Sequence, residues 1–434
     1  MDLKLKRRIW QMRKALSILL VLALLFALAA CAGGNGDNGD NNQSSSNNQG
    51  GGDTATPNGG GGGGTSQTMT EIGFFDRNYD YFANDRLKFA YLRIRNSPIY
   101  SDMANSFQIW AEMANVEVNV YDANDDDDLF NSMLEMLVLQ GYDGLLLDPE
   151  MVNYPAVVDI VRDLGIPFMS GMGLPLDADT GRLLNPFVGF DYRFVGEEMG
   201  RWLVEYWQEN WHDVPVENVG FIGVDWSHVY EISVRIDGAM DVIFPAIPGI
   251  EDRFFRPDTI VGTINSSTAY QVTGPVFAAN PDITHWLILG AIDDFADGAV
   301  SAARDVGLEG NTVAISMGGP GLIAQWEAGV ENDFQAAFMS VGVIYAEPIF
   351  FGLYALVMGY ATEETLFAPD WINHSNNETY AYLMLPAIII TRDTWWYYME
   401  WVDLYAGLDI SNFPVTPTID MFSARMDPPA HFAG

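Results

Sequence analysis

From residue 88 onward, short apolar runs of strand length alternate with stretches whose apolar positions recur every three or four residues. KFAYLRI (88–94) is a buried-strand pattern, and behind it Met103, Phe107, Trp110 and Ala114 fall at helical spacing after a cap at Ser101 or Asp102. VEVNVY, a helix over about 129–140, the strand GLLLD, a helix opened by Pro155 and closed by Gly165, and the strand IPFMSG continue the alternation. A second series starts at PFVGFD (186–191). It runs through a helix over 196–207, the strand VGFIGV (219–224), a helix through Arg235 to Ile243 and the strand HWLILG (285–290). A helix over 295–306, the strand TVAISM (312–317), a short helix near Ala324 and the strand FQAAFM (334–339) complete it. AEPIFFGLYALVMG reads as a further helix and YAYLMLPAIIIT as a strand. Repeated strand–helix units of this kind build parallel sheets with right-handed crossovers. The length from residue 69 to 434 exceeds one ordinary core, so the expected fold is α/β with two doubly wound, Rossmann-like lobes.

The first 68 residues follow different rules. Lys4, Lys6, Arg7, Arg8, Arg13 and Lys14 precede an apolar run at 15–30 that is short for a membrane span, the pattern of an export signal. That run ends in LAAC, whose Cys31 is the sole cysteine of the chain. Together these resemble a bacterial lipoprotein signal, which implies cleavage before Cys31, acylation of its thiol and anchoring to the outer face of the cell membrane. Residues 32–68 contain only Ala, Gly, Asn, Asp, Gln, Ser, Thr and Pro, with nothing to bury, and read as a flexible tether.

Charge narrows the partners. The chain carries 21 Lys+Arg against 58 Asp+Glu, a net charge of −37. Removing residues 1–30, with six basic residues and one acidic one, leaves 15 against 57 and a net charge of −42. Nucleic-acid binding draws on cations that neutralise phosphates, so a nucleic-acid partner is excluded. One cysteine rules out a disulfide framework, and five scattered histidines give no H-E-x-x-H pair, so neither a metal nor a cofactor is expected. The acidic run at 124–128 would need Gly at 127 and Glu at 133 to be a calcium loop but has Asp127 and Met133. It reads instead as a loop whose aspartates favour the next helix N-terminus. No G-x-S-x-G elbow, Walker A loop or G-x-G-x-x-G fingerprint occurs in the folded region, which removes the common hydrolase and nucleotide signatures.

Five segments, QGYDGLLLDPE (140–150), LGIP (164–167), VGFDYRFVGEEMG (188–200), HWLILGAIDDFADGAVSAARDVG (285–307) and PAIIITRDTW (386–395), occur in an order that is familiar. They resemble the type I periplasmic sugar-binding proteins of ABC transporters, above all those for L-arabinose, over roughly residues 88–400. The resemblance implies two lobes joined by a three-strand hinge, with crossings near 189–191, 340 and 387. One lobe would be 69–190 with 340–386, the other 191–339 with 387–434. It further implies no catalysis, a monomer, a monosaccharide ligand and delivery to a membrane permease. A tethered sensor that signals to a membrane receptor is the alternative.

In open α/β sheets ligands bind outside the carboxyl ends of the strands. Those ends present Arg93, Arg95, Asp148 and Met172 on the first lobe, and Asp225, Trp226, Asp293, Asp294 and Gly318 on the second, with Phe190 and Asp191 at the first crossing. A sugar needs planar polar groups for paired hydrogen bonds and an aromatic face for its C–H side. Arg93 or Arg95, Arg235 and Asp293 suit the first need, and Trp226 or Phe190 the second. Arg235, in RIDG, matches a sugar-binding arginine of the resembling family. Competing structural roles are equally concrete: an Arg235–Asp225 ion pair, helix capping by Asp293 or Asp294, and rim packing by Trp226. The arabinose pattern itself is broken, with Ile94, Gly171, Met172, Ile292 and Gly318 standing at several of its polar contacts. A different sugar, an anionic sugar or a non-sugar solute therefore enters the list. Residues 69–87, aromatic and acidic, have no periodic pattern and either pack on the first lobe or prolong the tether.

Overall fold

A computed structural model describes residues 69–395, apart from 172, 174, 178–179, 181, 260–264, 368–379 and 386–387. The chain lays down β1 (Leu87–Arg93), α1 (Pro98–Met113), β2 (Val116–Asp122), α2 (Asp127–Leu139), β3 (Gly144–Asp148), α3 (Tyr154–Leu164), β4 (Phe168–Gly171) and β5 (Phe187–Gly189). It continues with α4 (Tyr192–Asn210), β6 (Val219–Val224), α5 (Tyr230–Ala246), β7 (Phe254–Phe255), α6 (Ser266–Ala279) and β8 (His285–Gly290). After these come α7 (Asp293–Asp305), β9 (Thr312–Gly318), α8 (Pro320–Glu327), β10 (Phe334–Met339), α9 (Val343–Val357), β11 (Tyr382–Met384) and β12 (Ile389–Thr391). Two six-stranded sheets result, ordered β11-β5-β4-β3-β1-β2 and β12-β10-β9-β8-β6-β7. All the ladders are parallel except β10 with β12. The α/β architecture with two doubly wound parallel sheets expected from the alternation is the architecture observed.

Local chemistry explains most boundaries. Pro98 starts α1 a turn earlier than the Ser101 or Asp102 cap predicted, since a proline at the first helical position loses no hydrogen bond. Asp126 caps α2 by accepting from Leu129 N at 2.9 Å, and Gly165, at φ +68°, closes α3 in the left-handed region. Two elements depart from the expectation. The segment read as one strand at 380–391 is two three-residue strands, β11 in the first sheet and β12 in the second, with Pro386, which has no N–H to give a ladder, between them in sequence. Helix α6 was not expected, because Pro275 interrupts it and its apolar residues form no stripe.

The leader at 69–84 is part of the first lobe. Phe75 is 6% exposed, stacks on Tyr81 at 5.5 Å and packs against Trp110 of α1 and Phe351 of α9. Its backbone N–H donates to Oε1 of Glu347, a fully buried acid on α9, at 3.0 Å. Asp76 ties the turn by accepting from Thr70 N and Thr70 Oγ1, both at 2.7 Å. Nearly all of α9 is buried because the first sheet covers one side of it and this aromatic strap the other.

Candidate functional site

The carboxyl ends of β1, β3 and β4 form one rim. At the end of β3, Asp148 is 2% exposed, takes a hydrogen bond from Tyr91 Oη on Oδ2 at 2.7 Å, and leaves Oδ1 shielded without a donor. Burial pushes its carboxyl up to about 8, against the opposing pull of the Tyr91 hydroxyl. Burial thus favours the protonated form of this carboxyl, which can donate as well as accept.

The facing rim is set by how closely α4 and α5 pack. A Cβ on Gly196 would lie 1.9 Å from the Arg235 carbonyl oxygen, and one on Gly238 2.0 Å from that of Arg193, so the helices touch backbone to backbone and only glycine fits at either place. This brings Arg235, in the second turn of α5 rather than at its start, over the ring of Tyr192 at 4.9 Å. Its Nη1 donates to the Ala291 carbonyl at 2.6 Å, while Nε is shielded and unpaired. Burial lowers the guanidinium's pKa, resisted by the negative charge of Glu231.

Tyr345 stands at the start of α9, where the chain leaves β10 of the second sheet for a helix packed on the first. Its hydroxyl lies 3.0 Å from Ser340 Oγ, and its ring meets Phe190 edge-on at 5.7 Å. Burial raises its pKa well above the ordinary value; Tyr192 adds to the rise, Arg235 opposes it and Asp148 reinforces it. A cavity of about 390 Å3 adjoins this cluster at Ser340, between Ser97 and Ile99 of the first lobe and Asp294, Asp297 and Gly318 of the second.

The residues expected at the site fall into three groups. Arg235 stands in the cluster, but its anticipated partner Asp225 pairs instead with Arg256 at 2.6 Å. Phe190 also reaches the cluster, yet it is 1% exposed and wedged against Phe338 and Tyr345, which makes it hinge packing rather than an open aromatic face. Asp293 and Gly318 line the cavity. Asp293 spends its carboxylate on Ser316 Oγ (2.5 Å), Gly319 N (3.0 and 2.9 Å) and Gly321 N (3.0 Å), holding the N-terminus of α8. Gly318, at φ +144°, would put a Cβ 2.7 Å from Asp293 Oδ1. The remaining arginines are committed elsewhere, Arg93 to Asp122 at 3.3 Å and Arg95 to Asp125 and Glu150. Asp191 caps α4 through Arg193 N and Phe194 N, and Trp226 lies half-buried beside His228. Met172 and Cys31 lie outside the described residues. The sequence pointed to the strand end at Asp148 but not to its proton, and it missed Tyr91, Tyr192 and Tyr345, whose signal is only a tyrosine at a strand end or first helical turn. Among the described residues no cluster of His, Cys, Asp and Glu could hold a metal ion.

Two parallel α/β sheets, each with buried polar side chains at its rim, have the architecture of a two-lobe binding protein. The chain belongs to the periplasmic binding protein domain family, whose model matches residues 92–341. The family is one of solute-binding proteins of the extracytoplasmic space rather than of enzymes. No curated protein matches the chain. Solved structures share the fold. An ABC transporter solute-binding protein from Actinobacillus succinogenes with bound D-allose is 16% identical with a TM-score of 0.53, over 72% of this chain and 99% of that one. One from Agrobacterium vitis with α-D-tagatopyranose is 14% identical with a TM-score of 0.53, over 71% and 95%. The arabinose-transporter component from Shewanella, bound to L-arabinofuranose, is 14% identical with a TM-score of 0.51, over 74% and 97%. These are type I periplasmic binding proteins, and their fold is the fold of this chain.

Proposed function

We propose that the protein is an extracytoplasmic substrate-binding lipoprotein of an ABC sugar transporter. A small carbohydrate enters between the lobe at 69–190 with 340–386 and the lobe at 191–339 with 387–434, the hinge closes on it, and the closed form docks on a membrane permease. The observation that carries this reading is the pair Asp148 and Arg235, buried side chains at the rims of the two sheets that each keep a shielded polar atom without a hydrogen-bond partner. Buried polar groups are nearly always satisfied, so such a pair calls for a ligand with both donors and acceptors. A sugar ring, dense in hydroxyls, supplies both. Closure then follows as a population shift, since only the closed form lets one ligand bond both rims. Acylated Cys31 and the tether at 32–68 would keep the receptor beside its permease.

The test is thermal unfolding of the full chain in detergent against L-arabinose, D-arabinose, D-allose, D-tagatose, D-galactose and glucuronate. At a hundred times its Kd the cognate sugar adds about 2.7 kcal/mol, a shift of a few degrees in Tm. A flat response to every sugar sinks the carbohydrate assignment.

A further inference from the structure

The loop after β6 and the first turns of α5 are held by one side chain, that of Arg256. Arg256, just past β7, donates from Nε to Asp225 Oδ2 at 2.6 Å and from Nη1 to Asp237 Oδ1 at 2.6 Å. Its Nη2 reaches the Ser233 carbonyl at 3.0 Å and Ser233 Oγ at 2.7 Å. Ser233 Oγ closes the ring by donating to Asp225 Oδ2 at 3.0 Å. Asp225, 2% exposed, is also fixed through its backbone, its N–H donating to the Pro257 carbonyl at 2.9 Å and its carbonyl accepting from Thr259 N at 3.0 Å.

Geometry gives this ring a purpose. Ser233 and Asp237 are four residues apart and share one face of α5. Arg235, between them, projects from a different side, onto Tyr192 and the Ala291 carbonyl. Holding the Ser233–Asp237 face against the end of β6 therefore fixes the rotation of the helix and the direction of Arg235. A guanidinium is the group for the task, because its planar fork meets acceptors on three residues at once where an ammonium offers a single point.

We propose that Arg256 is a positioning residue of the binding cleft, clamping Asp225 to Ser233 and Asp237 so that Arg235 meets the solute in the right orientation. The inference rests on the cleft reading above. Its test is a double-mutant cycle by titration calorimetry on the full chain, using as probe whichever of the six sugars above raises Tm most. Arg235→Ala should weaken binding about a hundredfold and Arg256→Ala about tenfold. The double variant should bind within about twofold of Arg235→Ala alone, because the clamp acts only through that side chain. Ser233→Ala, which removes one arm without stranding a charge, should weaken binding about threefold in the native background and not at all with Arg235→Ala. Additive losses, or an Arg256→Ala variant with lower Tm and unchanged Kd, overturn the positioning role and leave the cleft standing. Unchanged Kd in Arg235→Ala, or no response to any of the sugars, overturns the cleft reading and the clamp with it.

Discussion

Replacing Asp148 with asparagine keeps the outline of the side chain and its acceptor for the Tyr91 hydroxyl while abolishing its proton equilibrium. In the folded chain burial lifts this carboxyl from 3.8 to about 8. Between those values the native state holds a proton that the unfolded state has lost, so rising pH favours unfolding. The sign is that of a penalty: stability is highest below the unfolded value and falls until the folded value is passed. One proton of difference corresponds to about 1.4 kcal/mol per pH unit. The free energy of unfolding of the wild-type chain should therefore decline relative to Asp148→Asn by about that slope from pH 5 to 8 and level off above. Urea unfolding of both proteins at each pH, without ligand, isolates the group, because every other titrating residue is common to the two. A constant offset reflects packing of the amide and has no bearing on the argument. Parallel stability curves across that range would refute it, showing that Asp148 is ionised in the native protein.

The strap predicts that Phe75→Ala empties an aromatic site between Trp110, Tyr81 and Phe351 and costs about 3–5 kcal/mol, read as a lower Tm; an unchanged Tm would show that the leader does not stabilise the lobe. Lipid anchoring predicts that Cys31→Ala moves the chain from the membrane fraction to the soluble one, with loss of fatty-acid labelling. Full membrane retention of that variant would exclude the anchor.

The strands and helices of both sheets were legible because their signal is local. GLLLD and VGFIGV are short apolar runs bounded by breakers, and the apolar residues of α1 and α7 return at helical spacing. Where that signal is weak, reading failed: α6 carries an interior proline, and β11 and β12 are three residues each. The candidate site was less legible than the fold. Asp225 and Arg235 looked like partners, yet Arg256, 31 residues from Asp225, takes that carboxylate. Asp293 looked like a ligand contact or a cap of its own helix, and it holds the N-terminus of the next one.

What the sequence by itself determined is whatever depends on neighbours along the chain: the alternation of strand and helix, hence parallel sheets of fixed handedness, and a strongly acidic charge balance. Tertiary structure alone decided the rest. Glu347 receives the strap from 272 residues away, burial raises the pKa of Asp148 because neighbouring elements exclude water, and Arg235 lies over the ring of Tyr192 on a neighbouring helix. Hydrogen bonds and desolvation act over a few ångströms of space, and only the folded chain sets which distant residues lie that close.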